Sequence, residues 1–383
     1  MTSEFPARIA IFIPTLAGGG VEKNMVHLSR AFAEAGHEVD LVLASAVGPL
    51  VQEVDPRVHL VDLKSSRVLF AFGPLVRYLR RRRPQVLLAG MGHANLVALG
   101  ARALAGGGCR VVVSDHTVLS KYLDNPEQKR TGLVPRLAGF AYPRAAGIIA
   151  VSDDVADDLA AISNLRRDSI TVIGNPVVTA ALREGFDQRP AHRFFGPDQP
   201  PVVLSVGRLD RYKGFDVLLK AHALLRRTVP HNLLILGEGP ERDSLVSLAA
   251  ELDVVTSVDL AGYVEGVGGY LAQADLFALA SRVEGFGNVL VEAMAAGLPV
   301  VATRGSGGPT GILAEGRFGP LVPVDDPEAL AGAMGRALAD PVPAELLRAR
   351  AEEYSVENIT AEYLAFFRSL DPAGKSRQGA NGH

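Results

Sequence analysis

The densest chemistry in the chain lies in Ser281-Arg-Val-Glu-Gly-Phe-Gly-Asn-Val-Leu-Val-Glu292. An apolar run ending at Ala280 feeds a loop carrying Glu284, Gly285 and Gly287. A helix is then expected from about Asn288, stopped by Gly297 before Pro299. A strand, a glycine loop and a helix N-terminus together form an anion site, because unpaired N–H groups and the helix dipole converge there. Glycines let the backbone come close to a phosphate. Asn288 and Glu292 lie four apart on one helix face, so Glu292 could accept two hydrogen bonds from a vicinal diol such as a ribose. Glu284, on the loop, is placed to reach the hydroxyls of whatever the phosphate carries. Either carboxylate alone is what any α/β protein carries on a loop or helix; the specificity lies in the combination.

A second segment, Val206-Gly-Arg-Leu-Asp-Arg-Tyr-Lys-Gly214, follows another apolar run. Arg208 and Lys213 on a loop with Gly207 and Gly214 make a good clamp for a diphosphate, although a solvated basic turn would look similar. Such a clamp favours a transition state in which the diphosphate gains negative charge. A third loop, Leu16-Ala-Gly-Gly-Gly-Val-Glu-Lys23, could cradle phosphate or could be a tight turn that needs glycine; it is not a complete G-x-G-x-x-G fingerprint. His116, in Ser114-Asp-His-Thr117, would stand at a strand's carboxyl edge, where it could donate to a sugar hydroxyl, shape an acceptor pocket, or be an ordinary loop histidine. Arg77 and Arg80–Arg83 sit beside Phe70, Phe72, Leu75 and Leu79. That pattern suits an anionic membrane surface, and equally suits cations compensating a helix C-terminus.

These loops need strands to hold them, and short apolar runs alternate with helix-length patterns along the chain. Strand candidates in the first half are Ile9–Ile13, Val39–Leu43, Val58–Leu63, Val86–Ala89, Val111–Ser114, Gly147–Val151 and Ile170–Ile173. The rhythm restarts with Val202–Val206, Asn232–Leu236, Val258–Leu260, Leu276–Leu279 and Pro299–Ala302. It implies two Rossmann-like, doubly wound parallel-sheet domains, the first over residues 1–178 and the second over 201–355, with 179–200 as linker. Two such sheets would face each other across a cleft at the carboxyl ends of their strands. The helix pattern 356–370 could pack back on the first domain, and the tail from Ala373 is expected to fray.

Of the 383 residues, 48% are hydrophobic and 21% charged, the balance of a globular protein. A net charge of −3 argues against nucleic acid as a partner. Residues 1–180 carry 20 Lys/Arg and 16 Asp/Glu, giving +4, and the remainder 19 and 26, giving −7. The single cysteine, Cys109, excludes an internal disulfide and suits a reducing compartment. Neither a signal peptide nor a spanning helix is expected, which suits a cytoplasmic protein that could work at the inner face of the plasma membrane.

The second half resembles the donor domain of retaining GT-B glycosyltransferases of family 4, the group with an E-x7-E motif. Glu284 and Glu292 have that spacing, and Gly207-Arg-Leu with Lys213, Leu236-Gly-Glu-Gly-Pro240 and Ala293-Met-Ala-Ala-Gly-Leu-Pro299 also match. The first half is similar more loosely, through Gly18–Gly20, His116, Ile149-Ala-Val-Ser-Asp153 and Asn175-Pro176. The resemblance implies that Arg208 and Lys213 hold the diphosphate and Glu292 the ribose. It gives the transferred sugar to Glu284 with the amides of Phe286, Gly287 and Asn288, and includes Val289 in the donor site. Gly19 and Gly20 would close over the phosphates, His116 would sit near the sugar, and Leu236–Glu238 with Tyr263 and Val264 near the nucleobase. Thr310-Gly311 departs from the pattern, since many relatives carry an acidic residue there, and no catalytic role is taken from that segment.

The reaction implied by the resemblance is a hexosyl or N-acetylhexosaminyl transfer from a nucleotide sugar, UDP before GDP, to a saccharide or lipid-linked saccharide in envelope or exopolysaccharide assembly. No cofactor or metal is expected, because cations and amides take the metal's charge-neutralising role. A sugar-nucleotide 2-epimerase, an inverting GT-B enzyme and a non-catalytic sugar-nucleotide-binding subunit are the alternatives.

Overall fold

The computed structural model describes residues 6–120, 133–305 and 307–371; the tail from Ala373 lies outside them. The chain forms two compact units, one of the residues up to Pro176 together with those from Val356 onward, the other of Val177–Ser355.

The first unit holds seven strands: β1 (Arg8–Ile13), β2 (Glu38–Leu43), β3 (His59–Asp62), β4 (Val86–Gly90), β5 (Arg110–Asp115), β6 (Gly147–Ala150) and β7 (Ile170–Val172). They pair in parallel in the order β3-β2-β1-β4-β5-β6-β7. A parallel sheet covered on both faces needs strands that are apolar throughout rather than alternating, and Ile9–Ile13 and Val86–Gly90 are buried at every position. Ile9 pairs with both Val39 and Val86. The order therefore reverses between β1 and β4, the place where such sheets open a crevice. The helix Val356–Ser369 packs against the helix Gly20–Glu34 of this unit, with the Tyr363 and Phe367 rings 6.3 and 5.7 Å from that of Phe32.

The second unit carries β8 (Val202–Val206), β9 (Asn232–Leu236), β10 (Val258–Gly262), β11 (Leu276–Leu279), β12 (Val300–Thr303) and β13 (Leu321–Val322). Their order is β10-β9-β8-β11-β12-β13, again parallel, and it reverses between β8 and β11. The two-residue β13 gave no signal in the sequence, being too short to show a pattern.

Residues 179–200, expected as a linker, belong instead to the second unit. They open with the helix Ala180–Gly185 and lie along the edge strand β10. His192 Nε2 and Arg193 Nε lie 3.1 and 3.2 Å from Asp259, and Phe195 packs on Tyr270. Discrete polar and ring contacts hold this segment, not a periodic apolar face, which is why its pattern reads as weak.

Candidate active site

Because β8 and β11 are neighbours, the loops leaving their carboxyl ends meet. The β8 loop carries Arg208 and Lys213; the β11 loop carries Glu284. Lys213 Nζ donates to Glu284 Oε2 at 2.7 Å, and Ser281 Oγ donates to the same oxygen at 3.0 Å. The two charged side chains are only 25% and 14% exposed, and Ser281 is buried. Glycine makes this approach possible at two points. Gly214 has φ +66°, and a Cβ there would stand 2.0 Å from the Ala280 carbonyl; Gly307 has φ +120°, and its Cβ would meet the Glu284 carbonyl at 1.3 Å. No other residue fits either position.

Beyond Glu284 the chain turns into the helix Asn288–Ala296 through Gly287, whose φ of +102° and missing side chain leave no side-chain cap on the helix N-terminus. Asn288, Val289 and Glu292 are half-buried on its first turns. Phe286 is buried, with its ring edge-on to Tyr354 at 5.4 Å. Arg208 is exposed and has no carboxylate partner among the described residues. The loops after β8, β9 and β10 are stitched together: Gly207 N–H to Leu236 O at 3.0 Å, Leu209 N–H to Glu238 O at 2.9 Å, and Gly237 N–H to Gly262 O at 2.7 Å. Tyr263, 72% exposed, and half-buried Val264 follow directly. Glu238 is held by Arg242 at 3.0 Å. Arg208, Lys213, Glu284, Phe286, Gly287, Asn288, Val289 and Glu292 thus share one edge of the second sheet, with Tyr263 and Val264 two strands away on the same edge.

Gly19, Gly20 and His116 belong to the first unit. Gly19 and Gly20 are exposed at the start of the helix Gly20–Glu34 that follows β1, with the Glu22 carboxylate folded back over Gly19. His116 follows β5, with Nε2 3.0 Å from Ser114 Oγ. Burial pushes its pKa down to about 4, and the neighbouring Asn175 offsets only part of that, so the ring is neutral at pH 7. A neutral imidazole can donate one hydrogen bond and accept another but supplies no positive charge. Beside it, burial raises Asp115 to about 6, against hydrogen bonds from Tyr142 and Asn95.

The basic segment of the first unit is arranged differently from the sequence expectation. Leu75 and Leu79 are buried in the core rather than lying beside the arginines, and Phe72 is half-buried. Arg82 is tied to the fully buried Asp40 at 2.7 Å and to Glu38 at 3.1 Å. An apolar stripe on a helix that covers a sheet turns inward, because that burial contributes more than any surface use. What remains outward is Leu69 and Phe70, 71% and 61% exposed, with Arg67, Arg77, Arg80, Arg81 and Arg83. No helix among the described residues is long and apolar enough to cross a membrane.

Sequence reasoning passed over Ser281, Asp216 and Arg282. Ser281 opens the segment that carries Glu284 and was within reach, although no role was given to it. Asp216 and Arg282 are partners 66 residues apart, a pairing that no local pattern announces.

Comparison with known proteins bears on what this site does. The profile of the Glycosyltransferase Family 4 matches residues 18–181, and that of the Glycosyl transferases group 1 matches residues 188–357. The lipopolysaccharide core biosynthesis glycosyltransferase LpsE of Rhizobium meliloti is 30% identical over 367 residues, spanning 92% of this chain and 96% of the relative. The chain belongs to the group 1, family 4 glycosyltransferases. A second relative, the N-acetylgalactosamine-N,N'-diacetylbacillosaminyl-diphospho-undecaprenol 4-alpha-N-acetylgalactosaminyltransferase of Campylobacter jejuni, is 28% identical over 87% of this glycosyltransferase and 90% of its own length. Among solved structures, a glycosyltransferase from Rickettsia africae superposes with a TM-score of 0.76 at 18% identity, covering 95% and 98% of the two chains. Anabaena HepE, solved in complex with UDP, gives 0.75 at 21% identity, covering 94% and 100%. The glycosyltransferase therefore has the GT-B fold.

Proposed function

We propose that this glycosyltransferase moves a hexosyl or N-acetylhexosaminyl unit, with retention, from a nucleoside diphosphate sugar to a saccharide or lipid-linked saccharide in envelope or exopolysaccharide assembly. The observation that carries this is the 2.7 Å contact of Lys213 with Glu284 at the strand-order reversal, beside the start of the helix Asn288–Ala296, whose N-cap residue is Gly287. A cation, a carboxylate and a helix N-terminus on one edge suit a phosphate and the hydroxyls of the sugar it carries. UDP is favoured over GDP; HepE was solved with UDP. GDP stays the second choice, since a GDP-mannose-dependent mannosyltransferase of Mycolicibacterium smegmatis is 36% identical over 174 residues, 45% of its length.

In this reaction Arg208 and Lys213 hold the diphosphate and Glu292 the ribose. Glu284 and the amides of Phe286, Gly287 and Asn288 hold the sugar, and Tyr263 and Val264 lie toward the base. The anomeric C–O bond breaks with its electron pair leaving on the diphosphate. The acceptor oxygen then attacks the same face and yields its proton to the departing phosphate. Cations fixed in a partly buried site favour that leaving group in the transition state more than in the ground state. No metal enters the scheme. For Gly19, Gly20 and His116, in the first unit, the family resemblance implies phosphate-side and sugar-side roles.

A thermal-shift screen against UDP, GDP and their sugars tests the donor, because a ligand at 100 times its Kd stabilises by about 2.7 kcal/mol. Stabilisation by UDP and UDP-sugars above the others is the expected outcome; no response to any nucleotide defeats the assignment. Product anomer analysis by NMR tests retention. Inversion, or epimerisation without acceptor, sinks that part.

The exposed Leu69 and Phe70 among Arg67, Arg77 and Arg81 favour a peripheral contact with anionic lipid. Co-sedimentation with vesicles containing phosphatidylglycerol, lost on Leu69→Ser with Phe70→Ser, is the outcome expected. Equal recovery with purely zwitterionic vesicles counts against it.

A further inference from the structure

We infer that Arg282 is a positioning residue of the donor site, one that sets the Lys213–Glu284 pair without touching the donor; this rests on the proposed function above. Arg282 stands two residues before Glu284 and grips the chain on both sides of Lys213. Its backbone N–H donates to Tyr212 O at 2.7 Å, and Nη1 donates to Arg211 O at 2.7 Å. Nη1 and Nη2 also fork onto Asp216 Oδ1 and Oδ2, both at 2.8 Å, in the first turn of the helix Phe215–Arg226. Nε completes the set on Asp325 at 2.6 Å. One guanidinium thereby fixes residues 211, 212 and 216 to the loop that ends at Glu284, and Lys213 lies inside that span.

The charges separate this role from phosphate binding. Arg282 faces two carboxylates, so the cluster carries one net negative charge and offers an anion nothing. Burial by itself would raise Asp216, yet the hydrogen bonds and charge of Arg282 hold it below the usual carboxylate value. Asp216 in turn raises Arg282. A bidentate fork gives angular control that a point charge does not. Arg282 and Asp216 also line a cavity of about 470 Å³ with Asp210, Arg211, Phe215 and Glu241. Shortening Arg282 therefore opens space to solvent rather than a void in the core, and the variant is expected to fold.

The test is a double-mutant cycle read as nucleotide affinity, with UDP and GDP as probes and calorimetry on the full chain. Lys213→Ala, Arg282→Gln and the two combined are compared with the parent. Lys213→Ala and Arg282→Gln are each expected to weaken binding of the preferred nucleotide about tenfold, and the double variant to be no weaker than Lys213→Ala alone. Arg282→Lys, which keeps one charge but cannot fork, is expected not to restore affinity. Asp216→Asn, which breaks the same contact from the other side, is expected to copy Arg282→Gln and serves if that variant does not fold. Unchanged affinity in Arg282→Gln or Asp216→Asn beside a weakened Lys213→Ala overturns the positioning role and leaves the function standing. Full additivity in the double variant also overturns it. Unchanged affinity in Lys213→Ala, or binding of neither nucleotide, overturns the function itself and the inference with it.

Discussion

Lys213 Nζ and Glu284 Oε2 meet at 2.7 Å across 71 residues of chain. They leave the carboxyl ends of β8 and β11, the two neighbours at which the second sheet's strand order reverses. The contact joins a group suited to phosphate with one suited to sugar hydroxyls. The pair ties the β8 loop to the β11 loop.

Glu284→Gln separates those two tasks. Neutralising the carboxylate frees the full charge of Lys213, so UDP affinity is expected to hold or rise while transfer falls roughly 100-fold, the size of a lost positioned group. Calorimetry with UDP and a transfer assay read the two quantities. A parallel loss of both would mean that Glu284 serves only to build the loop.

Removing either cation is expected to slow transfer. Arg208→Ala or Lys213→Ala should each cost roughly 2–4 kcal/mol of transition-state stabilisation, in line with lost oxyanion donors. Steady-state kinetics at saturating donor measure it. Unchanged turnover in both variants contradicts the clamp.

Gly307→Ala should damage the site through the backbone alone. Its φ of +120° and the 1.3 Å approach of a Cβ to the Glu284 carbonyl force the two loops apart. A loss of about 2 kcal/mol or more in stability is expected, with nucleotide binding impaired. Urea unfolding measures the first and calorimetry the second; a neutral substitution would show that the loops are free to separate.

Much of this architecture was legible because central parallel strands such as β1, β4 and β11 are near-unbroken apolar runs. The edge strands β3 and β10 are not buried throughout and showed only as the mixed runs Val58–Leu63 and Val258–Leu260. Gly285, Gly287, Glu284 and Glu292 were legible because chain-local spacing sets which of them share a turn. The partner of Lys213 was not, since only the sheet order brings residues 213 and 284 together. Arg282 escaped for the same reason, its partners lying at 211, 216 and 325. Leu75 and Leu79 misled because periodicity shows that a helix has an apolar face, not whether a sheet covers it. Residues 179–200 misled because separate polar contacts leave no period to see.

Acid should loosen the fold. Burial depresses His116 to about 4 and His222 to about 3, with His231 and Arg226 adding to the latter. Above the unfolded value near 6.5 both rings are neutral in either state; as pH falls from there, the unfolded chain takes up protons that the folded chain refuses. Their stabilisation is therefore full above about pH 6.5 and lost toward pH 4 and then 3. Asp115, raised by burial to about 6, acts oppositely between about 3.8 and 6. Two histidines against one carboxyl leave a net decline. Urea midpoints from pH 7 to 4 should fall; a rise would contradict it.

The most direct measurement is a crystal structure of the glycosyltransferase with UDP bound. The diphosphate is expected within hydrogen-bonding distance, about 3 Å, of Arg208 and Lys213 and of the amides opening the helix Asn288–Ala296. A nucleotide seated away from both groups would contradict the assignment.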